Sequence, residues 1–199
     1  MTIPSPATAG AGQDGPLRLL LAACGRRQAI EDLLASTAPV LAASLALPLR
    51  SLANPEAPDQ SLAALHAAPA DTGPGWLAPL PLDPGLPLPA ACCWAEVLGS
   101  WRQPCLLLLR ADELDTGRPA ATAALLRQWR VPLLGLVQSG EPWTPQARRA
   151  DGLPWLGWMP QRSDAQDAPP QEAEEAPEGQ IDARLAPLLR RRLAALDLG

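Results

Sequence analysis

Residues 105–140 of the chain read CLLLLRADELDTGRPAATAALLRQWRVPLLGLVQSG, and this stretch decides the fold. Residues 104–110 form a continuous apolar run, which is typical of a central parallel strand covered on both faces. A helix is predicted at 118–130, with Pro119 near its start, and the next strand is predicted at 131–140. Because a strand, a crossover helix and a second strand follow one another, we expect a parallel α/β sheet.

The rest of the chain repeats this alternation. Strands are predicted at 17–25, 75–80 and 152–160, and helices at 26–47, with Pro39 as a candidate break, and at 89–101, with Pro89 in the first turn. Residues 48–70 are weakly patterned, and the chain shows no internal repeat. We therefore expect one α/β domain at 17–160, with a mostly parallel sheet flanked by helices.

The two ends of the chain differ in character from this domain. Residues 1–16 predict a disordered tail, and the acidic, proline-rich residues 161–180 predict a flexible linker. Residues 181–199 predict an amphipathic helix that docks either on the domain or on a second subunit. The run Arg190–Arg192 predicts the solvated face of that helix.

Composition limits the classes of function. The chain has 199 residues, 47% of them hydrophobic, which suits one folded domain. A net charge of −5 gives no overall attraction to nucleic acid or to an anionic membrane, so we expect neither partner. No apolar stretch predicts a transmembrane span, and the N-terminus lacks the pattern of a secretory signal.

The cysteines point to a reducing compartment. The four thiols, Cys24, Cys92, Cys93 and Cys105, have neither CxxC nor zinc-site spacing, and Cys24 and Cys105 lie in apolar runs that predict burial. We therefore expect a cytoplasmic protein with structural thiols. His66, the single histidine, lies in an alanine-rich stretch and predicts a packed or surface residue rather than a catalytic one.

An ordered set of segments resembles dethiobiotin synthetase, a family of P-loop NTPases. The sequence GLPWLGWMP is similar to the family's P-x-L-G-x-x-P segment and follows RVPLLGLVQSG, which is similar to the preceding helix end and strand. Upstream, DTGPGWLAPL at 71–80 is similar to the family's acidic, glycine-rich segment, with Asp71 where the family has glutamate. In GLPWLGWMP, the positions that match the family's pattern are Pro154, Leu156, Gly157 and Pro160. The resemblance covers about 70–160, with a first strand at 17–25.

The phosphate-binding part of that family's site is missing. A P-loop needs several glycines, a lysine at the outer phosphates, and Ser or Thr on magnesium. After the first strand this chain reads CGRRQAIEDLLAS, and all 16 basic residues are arginine, so the chain contains no lysine. Gly25 is the single glycine of that segment. Arg26 and Arg27 either attract an anion to the following helix N-terminus or form a solvated pair, and we favour the pair.

The remaining family positions are altered as well. Ser139 falls where the resemblance implies an adenine-contacting Asn, and Gln138 beside it is predicted to face the other way. Asp71 is a weak candidate for magnesium, with turn capping as the alternative. The acids Asp112, Glu113 and Asp115 stand where the family binds its substrate carboxylate, and they predict helix-capping groups instead.

The tryptophans of the last segment form one more candidate site. Trp143, Trp155 and Trp158 cluster in sequence near the expected ligand edge of the sheet. They predict either a surface for a protein partner or core packing, since Phe and Tyr are absent.

The residues together favour a degenerate relative of dethiobiotin synthetase that acts by binding, as a regulatory or scaffold protein, with a possible homodimer or another protein partner and without a cofactor. The first alternative is an ATP-dependent dethiobiotin synthase of biotin synthesis, which would use ATP and magnesium. The second alternative is an adenine nucleotide or anion sensor that does not turn its ligand over.

Overall fold

The computed structural model describes residues 17–67, 75–90, 92–141, 145–159 and 185–197. These residues form a single α/β domain in which helices flank a five-stranded parallel sheet. The predicted fold class is therefore confirmed, and the architecture is consistent with a P-loop-like fold. The predicted tail at 1–16, the linker at 161–180 and the positions Asp71, Trp143 and Pro160 lie outside the described residues.

Each strand forms where an apolar run is predicted. The strands are β1 Arg18–Ala23, β2 Trp76–Pro79, β3 Cys105–Arg110, β4 Leu133–Ser139 and β5 Trp155–Met159. Their order in the sheet is β2-β1-β3-β4-β5. Since the chain leaves β1 toward β2 and then returns to the other side of β1, the order reverses between β1 and β3.

The helices lie between the strands and after β5. They are α1 Arg27–Leu45, α2 Pro58–Ala67, α3 Trp94–Ser100, α4 Arg118–Gln128, α5 Pro145–Ala150 and α6 Leu185–Asp197, with a short 3-10 turn at Ala111–Glu113. Within the described ranges, no helix combines the length and the apolarity that a membrane crossing requires.

The sheet buries both of its faces, which explains the continuous leucine runs of its strands. Along β1, Leu19 and Leu21 pack into one cluster with α1 and α6, while Leu20 and Ala22 pack into the other cluster with α2, α3 and α4. Successive residues of a strand point to opposite faces, so every position of a central strand must be apolar.

The expected break of the first helix at Pro39 is wrong. Helix α1 continues through Pro39 to Leu45. The side of the helix that carries Pro39 is exposed, so water can satisfy the carbonyl group that the missing N–H leaves free. Beyond the proline, Leu41 and Leu45 are buried in the core and hold the last turns in place.

The expected start of the third helix at Pro89 is also wrong. Helix α3 begins at Trp94, after Cys93 in an extended conformation. The Ala95 N–H donates to the carbonyl group of Pro84 at 2.9 Å, so the first turn is held by a contact with the preceding loop. A tertiary contact therefore sets this helix start, and sequence propensity does not.

Helix α2 occupies part of the weakly patterned stretch and is missed by the sequence analysis. Pro58 stands at its first position, and Ser61, Leu62 and Leu65 are buried at helical spacing. The helix covers the edge of the second core cluster. The spacing of those three residues was a usable signal of a short amphipathic helix.

Helix α6 docks on the domain rather than standing apart from it. Leu189 is fully buried in the cluster with α1, and α6 packs over β4 and β5. Arg190 donates to the carbonyl group of Leu45 at 3.1 Å, and Arg192 donates to that of Leu134 at 2.7 Å. Arg190 and Arg191 are exposed, as the predicted solvated face requires, whereas Arg192 is half-buried and departs from that prediction.

Candidate functional site

The candidate site lies at the carboxyl ends of β1 and β3, where the strand order reverses. In open parallel sheets of this kind, ligands bind in the crevice at that position. Cys24 and Gly25 follow β1, and the 3-10 turn Ala111–Glu113 follows β3. The loop after β2 contributes Asp83, so three separate segments of the chain meet here.

The backbone N–H of Gly25 is hydrogen-bonded to a side chain of the protein itself. Gly25 has a φ of +123°, a conformation that favours glycine. Its N–H donates to Oδ2 of Asp83 at 2.9 Å, and Oδ1 of that carboxylate accepts from the Gly85 N–H at 2.9 Å. Asp83 thus joins the loop after β1 to its own loop through both carboxylate oxygens.

A second carboxylate approaches Gly25 from the turn after β3. A Cβ placed on Gly25 would lie 3.0 Å from Oε1 of Glu113, and Arg118 binds the same oxygen at 3.2 Å. The Glu113 side chain is only 12% exposed, and its Oε2 has no hydrogen-bond partner among the described residues. Two carboxylates therefore lie against Gly25 with one guanidinium group, and a triphosphate requires positive groups around it.

The acids after β3 do not cap α4, so their predicted capping role is wrong. Asp112 instead pairs with Arg110 through two bonds of 3.0 Å, and the bond from Arg110 lowers the pKa of the Asp112 carboxyl. Glu113 pairs with Arg118. The backbone N–H of Arg118, at the start of α4, donates to the hydroxyl oxygen of Thr116 at 3.3 Å.

The thiol at the end of β1 is not set up as a nucleophile. Burial, followed by the nearby negative charge of Glu113, raises the pKa of Cys24 to about 11. Burial also raises the pKa of Cys105 to about 12. A thiol with a raised pKa stays protonated at neutral pH and reacts slowly. All four cysteines are free, and the prediction that Cys24 and Cys105 are buried is confirmed.

Arg26 and Arg27 stand at the start of α1. Arg26 is the N-cap residue, and no side chain caps this helix end. Arg27 forms an ion pair with Glu31 at 2.9 Å on an exposed surface. The charge of Arg27 is therefore partly compensated within the helix, as the interpretation of a solvated pair requires.

Gln138 and Ser139 are buried at the carboxyl end of β4, separated from Gly25 by β3. They are 2% and 1% exposed. The Gln138 amide group donates to the carbonyl group of Glu141. Within the described ranges, Oε1 of Gln138 and Oγ of Ser139 have no partner. In register, Gln138 lies opposite Leu109 and Ser139 opposite Arg110, so the two side chains face opposite sides of the sheet.

The segment that contains Pro154 and Gly157 packs tightly against β4. The carbonyl group of Pro154 accepts from the Leu136 N–H at 3.0 Å. A Cβ on Gly135 would lie 2.6 Å from that carbonyl oxygen and 2.6 Å from Cγ of Leu156. Gly157 lies within β5, which pairs with β4. These contacts give the P-x-L-G pattern a packing role in this chain.

The two described tryptophans of the predicted partner surface are half-buried. The indole N–H of Trp155 donates to Asp151 at 2.8 Å, and the guanidinium carbon of Arg148 lies 5.7 Å from the Trp155 ring centroid. Trp155 also packs against the core cluster, and Trp158 lies in the same strand. For Trp155, these contacts favour the packing alternative over a free partner surface.

Two other tryptophans, which the sequence analysis does not select, are more exposed. Trp101 is 39% exposed and Trp129 is 38% exposed. Each ends a helix and is followed by an arginine with positive φ, Arg102 at 48° and Arg130 at 57°. The pattern W-R-x-P occurs at 101–104 and again at 129–132, and it was the signal that could have identified them.

His66 is held in a network at the amino ends of the strands. Its Nδ1 lies 2.9 Å from a guanidinium nitrogen of Arg18, and its Nε2 lies 2.9 Å from Oε1 of Gln103. Its ring lies 5.6 Å from the rings of both Trp76 and Trp101. Of the two predicted alternatives, a packed or a surface residue, the structure shows the packed one, and the contacts of His66 join α2 to the sheet.

An apolar groove of about 280 Å³ lies between α1 and the edge of the sheet near β2. Leu34, Pro39, Leu52 and Pro81 contribute to its lining. Glu31 is the charged residue of that lining, and it already pairs with Arg27. The groove therefore offers contacts to an apolar group and no cation for a phosphate. Across the described part of the chain, no three His, Cys, Asp or Glu side chains are grouped to hold a metal ion.

Comparisons with models of known protein families, with curated proteins and with solved structures return no match to this chain.

Proposed function

We propose that this protein is a non-catalytic binding protein, regulatory or scaffolding in role, and a degenerate relative of dethiobiotin synthetase. The observation that carries the proposal is the hydrogen bond from the Gly25 N–H to the Asp83 carboxylate. The bond gives the Gly25 N–H an acceptor within the protein, at the sheet edge where an anion would otherwise be expected, and Glu113 adds a second negative charge beside it. Binding of a triphosphate at this edge would require both charges to be displaced or neutralised.

The chemistry of the family that this chain resembles also favours a non-catalytic role. In that family, ATP drives ring closure of a diamino acid with carbon dioxide to a cyclic urea. That reaction needs a compact cation at the outer phosphates, and this chain has no lysine. Arg26 is exposed at the edge of the site and its fork-shaped group suits the centre of a phosphate loop poorly.

The test is a direct assay of the purified chain with diaminopelargonic acid, bicarbonate, ATP and magnesium. We expect no dethiobiotin and no release of phosphate above a control without protein. Formation of dethiobiotin by the chain would refute the proposal and establish the synthase. An active dethiobiotin synthetase, assayed in parallel, confirms that the conditions support the reaction.

An anion or nucleotide sensor is the second candidate, and one observation favours it. The N-terminus of α1 has no side-chain cap and carries Arg26, an arrangement that attracts anions. Calorimetry with ATP and magnesium separates the candidates. Heat that disappears in an Arg26→Ala variant would establish the sensor, whereas absence of heat at millimolar nucleotide supports the binding protein.

The compartment and the partner belong to the same proposal. Four free thiols suit the reducing cytoplasm, where we place the protein. A net charge of −5 disfavours nucleic acid as the partner, so we propose a second copy or another protein. Light scattering of the purified chain over a range of concentrations tests the homodimer.

A further inference from the structure

Helices α3 and α4 end in the same backbone arrangement. In α3, the Arg102 N–H donates to Gly99 and the Gln103 N–H donates to Leu98, at 3.1 and 2.9 Å. In α4, the N–H groups of residues 130 and 131 donate to the carbonyl groups of residues 127 and 126, both at 2.9 Å. Both sets of bonds match the Schellman motif, in which a left-handed residue closes the helix. Arginine fills that left-handed position in both turns.

The two turns lie side by side. A Cβ placed on Gly99 would lie 1.8 Å from the carbonyl oxygen of Trp129 and 3.4 Å from the Trp129 Cβ. Gly99 is two residues before Trp101, so the ends of α3 and α4 touch through their backbones. The backbones at Trp101 and Trp129 therefore come close together on the surface at the amino edge of the sheet, and both side chains are exposed. We call this surface, formed by Trp101, Arg102, Trp129 and Arg130, the Trp–Arg surface.

The Trp–Arg surface is exposed and locally positive. Arg102 and Arg130 are exposed, as is Arg127 in the last turn of α4. Among the described residues, no carboxylate forms an ion pair with these three arginines. Asp59 accepts from the Trp101 indole N–H at 2.8 Å and orients that ring. This part of the surface therefore carries three exposed guanidinium groups, on a chain whose net charge is −5.

The arginines are not needed to form the turns. The Schellman bonds use only backbone groups, and glycine fits the left-handed position best. A side chain there costs about 1–2 kcal/mol. The same chain closes α1 with Ala46, at a φ of 54°, so the turn also forms without any guanidinium group. Arg102 and Arg130 are therefore better explained by an interaction of their charged groups with a binding partner.

We propose that the Trp–Arg surface binds an acidic segment of a partner protein. Trp and Arg are the residue types that contribute most to protein–protein binding. The indole rings supply apolar area, and the guanidinium groups pair with carboxylates in forked geometry. The surface lies at the opposite edge of the sheet from Gly25, so this proposal does not depend on whether the protein binds a nucleotide.

A protein segment fits this surface better than a nucleic acid does. Binding of nucleic acid gains most of its strength from many phosphate contacts, and the two arginines of the Trp–Arg surface with the neighbouring Arg127 offer few. The remaining charge of the chain is negative and repels an extended polyanion. A short acidic segment of a folded partner needs only local complementarity.

The test measures binding by fluorescence anisotropy of a labelled peptide made of repeating Glu-Glu-Leu-Pro units. The wild-type chain is expected to bind this peptide and not a matched peptide with Lys in place of Glu. The double variant Arg102→Gly/Arg130→Gly and the single variant Trp129→Ala are each expected to bind about tenfold more weakly. Because glycine suits both left-handed positions, the double variant is expected to melt at the same temperature or higher.

The matched control is Ala46→Gly, which places glycine at the left-handed position that ends α1, away from the Trp–Arg surface. This variant is expected to bind the peptide as the wild type does. Equal binding of the acidic peptide by the wild type and the double variant, or no binding by the wild type, would overturn the proposal. Preference for a single-stranded oligonucleotide over the peptide would overturn it in favour of nucleic acid. Self-association that the double variant abolishes would overturn it in favour of a second copy.

Discussion

The backbone N–H of Gly25 and the carboxylate of Asp83 are joined by a hydrogen bond of 2.9 Å across 58 residues of sequence. The bond ties the loop after β1 to the loop after β2, on the side of the sheet where ligands bind in related architectures. It is therefore a structural contact that holds the two loops together.

Replacing Asp83 tests this contact. Asp83→Ala is expected to lower the free energy of unfolding by about 1–3 kcal/mol, because two backbone N–H groups lose their acceptor. Asp83→Asn keeps one acceptor oxygen and is expected to cost less. Urea unfolding measures both variants. Asp115→Ala, an exposed change in the loop before α4, is the control, and an equal loss in that control would contradict the structural role of Asp83.

Gly25 itself should not tolerate a side chain. Gly25→Ala is expected to cost about 1–2 kcal/mol or more, since its φ of +123° disfavours a Cβ and Glu113 lies 3.0 Å from that atom. Gly117→Ala is the matched control, because no atom lies within 4 Å of a Cβ at that position. Thermal melting compares the two. Similar melting temperatures would show that the site accommodates a side chain.

Alkaline pH should destabilise the protein through Cys24 and Cys105. Their pKa values rise from 9.0 to about 11 and about 12 in the folded state. The unfolded chain therefore loses these protons first, and stability is fully present below pH 9 and falls above it, by about 1.4 kcal/mol per pH unit for each thiol. The chain has neither lysine nor tyrosine, so few other side chains titrate in that range.

The measurement for this prediction is urea unfolding between pH 8 and pH 11. A Cys24→Ala/Cys105→Ala variant is expected to show a much shallower loss of stability over the same range. An identical slope in this variant would assign the pH dependence to other groups.

The arginines of α6 should differ in importance. Arg192→Ala and Arg190→Ala each remove a hydrogen bond to a backbone carbonyl group and are expected to cost about 1 kcal/mol. Arg191 is exposed between them, and Arg191→Ala is expected to change stability by less than about 0.5 kcal/mol. Chemical denaturation ranks the three. Equal effects would show that only the net charge of this helix matters.

The single histidine should have one defined tautomer. Gln103 donates through its Nε2 to the carbonyl groups of Arg18 and Pro104, so its Oε1 must accept from His66 Nε2. Since the Arg18 guanidinium can only donate, His66 Nδ1 accepts. Nitrogen NMR at neutral pH is expected to show a protonated Nε2 and an unprotonated Nδ1. The opposite tautomer would contradict the network.

The strands were predictable because a central parallel strand is apolar at every position. The runs at Leu19–Leu21 and Leu106–Leu109 carry this requirement in the local sequence. Helix ends were less predictable. The start of α3 depends on a bond between Ala95 and Pro84, and α1 passes Pro39 because Leu41 and Leu45 are anchored in the core. Local propensity contains neither contact.

The candidate site was predictable only in part. The glycine after β1 is visible as the end of an apolar run, and Gly25 is placed at the point where the strand order reverses. Asp83 was missed because nothing near it in sequence indicates a partner 58 residues away. The repeated W-R-x-P pattern marks Trp101 and Trp129 in the sequence, but their proximity depends on two separate helix ends that meet at Gly99.

The amino-acid sequence by itself determined the alternation of strands and helices, because the periodicity of buried residues is a property of short stretches. It also determined that no lysine is available to bind a phosphate, since that follows from composition alone. The tertiary structure alone decided that the Asp83 carboxylate accepts from the Gly25 N–H and that the two Trp-Arg turns meet at Gly99. Those contacts depend on the order of strands in the sheet, which brings distant segments within hydrogen-bonding distance and which no local pattern encodes.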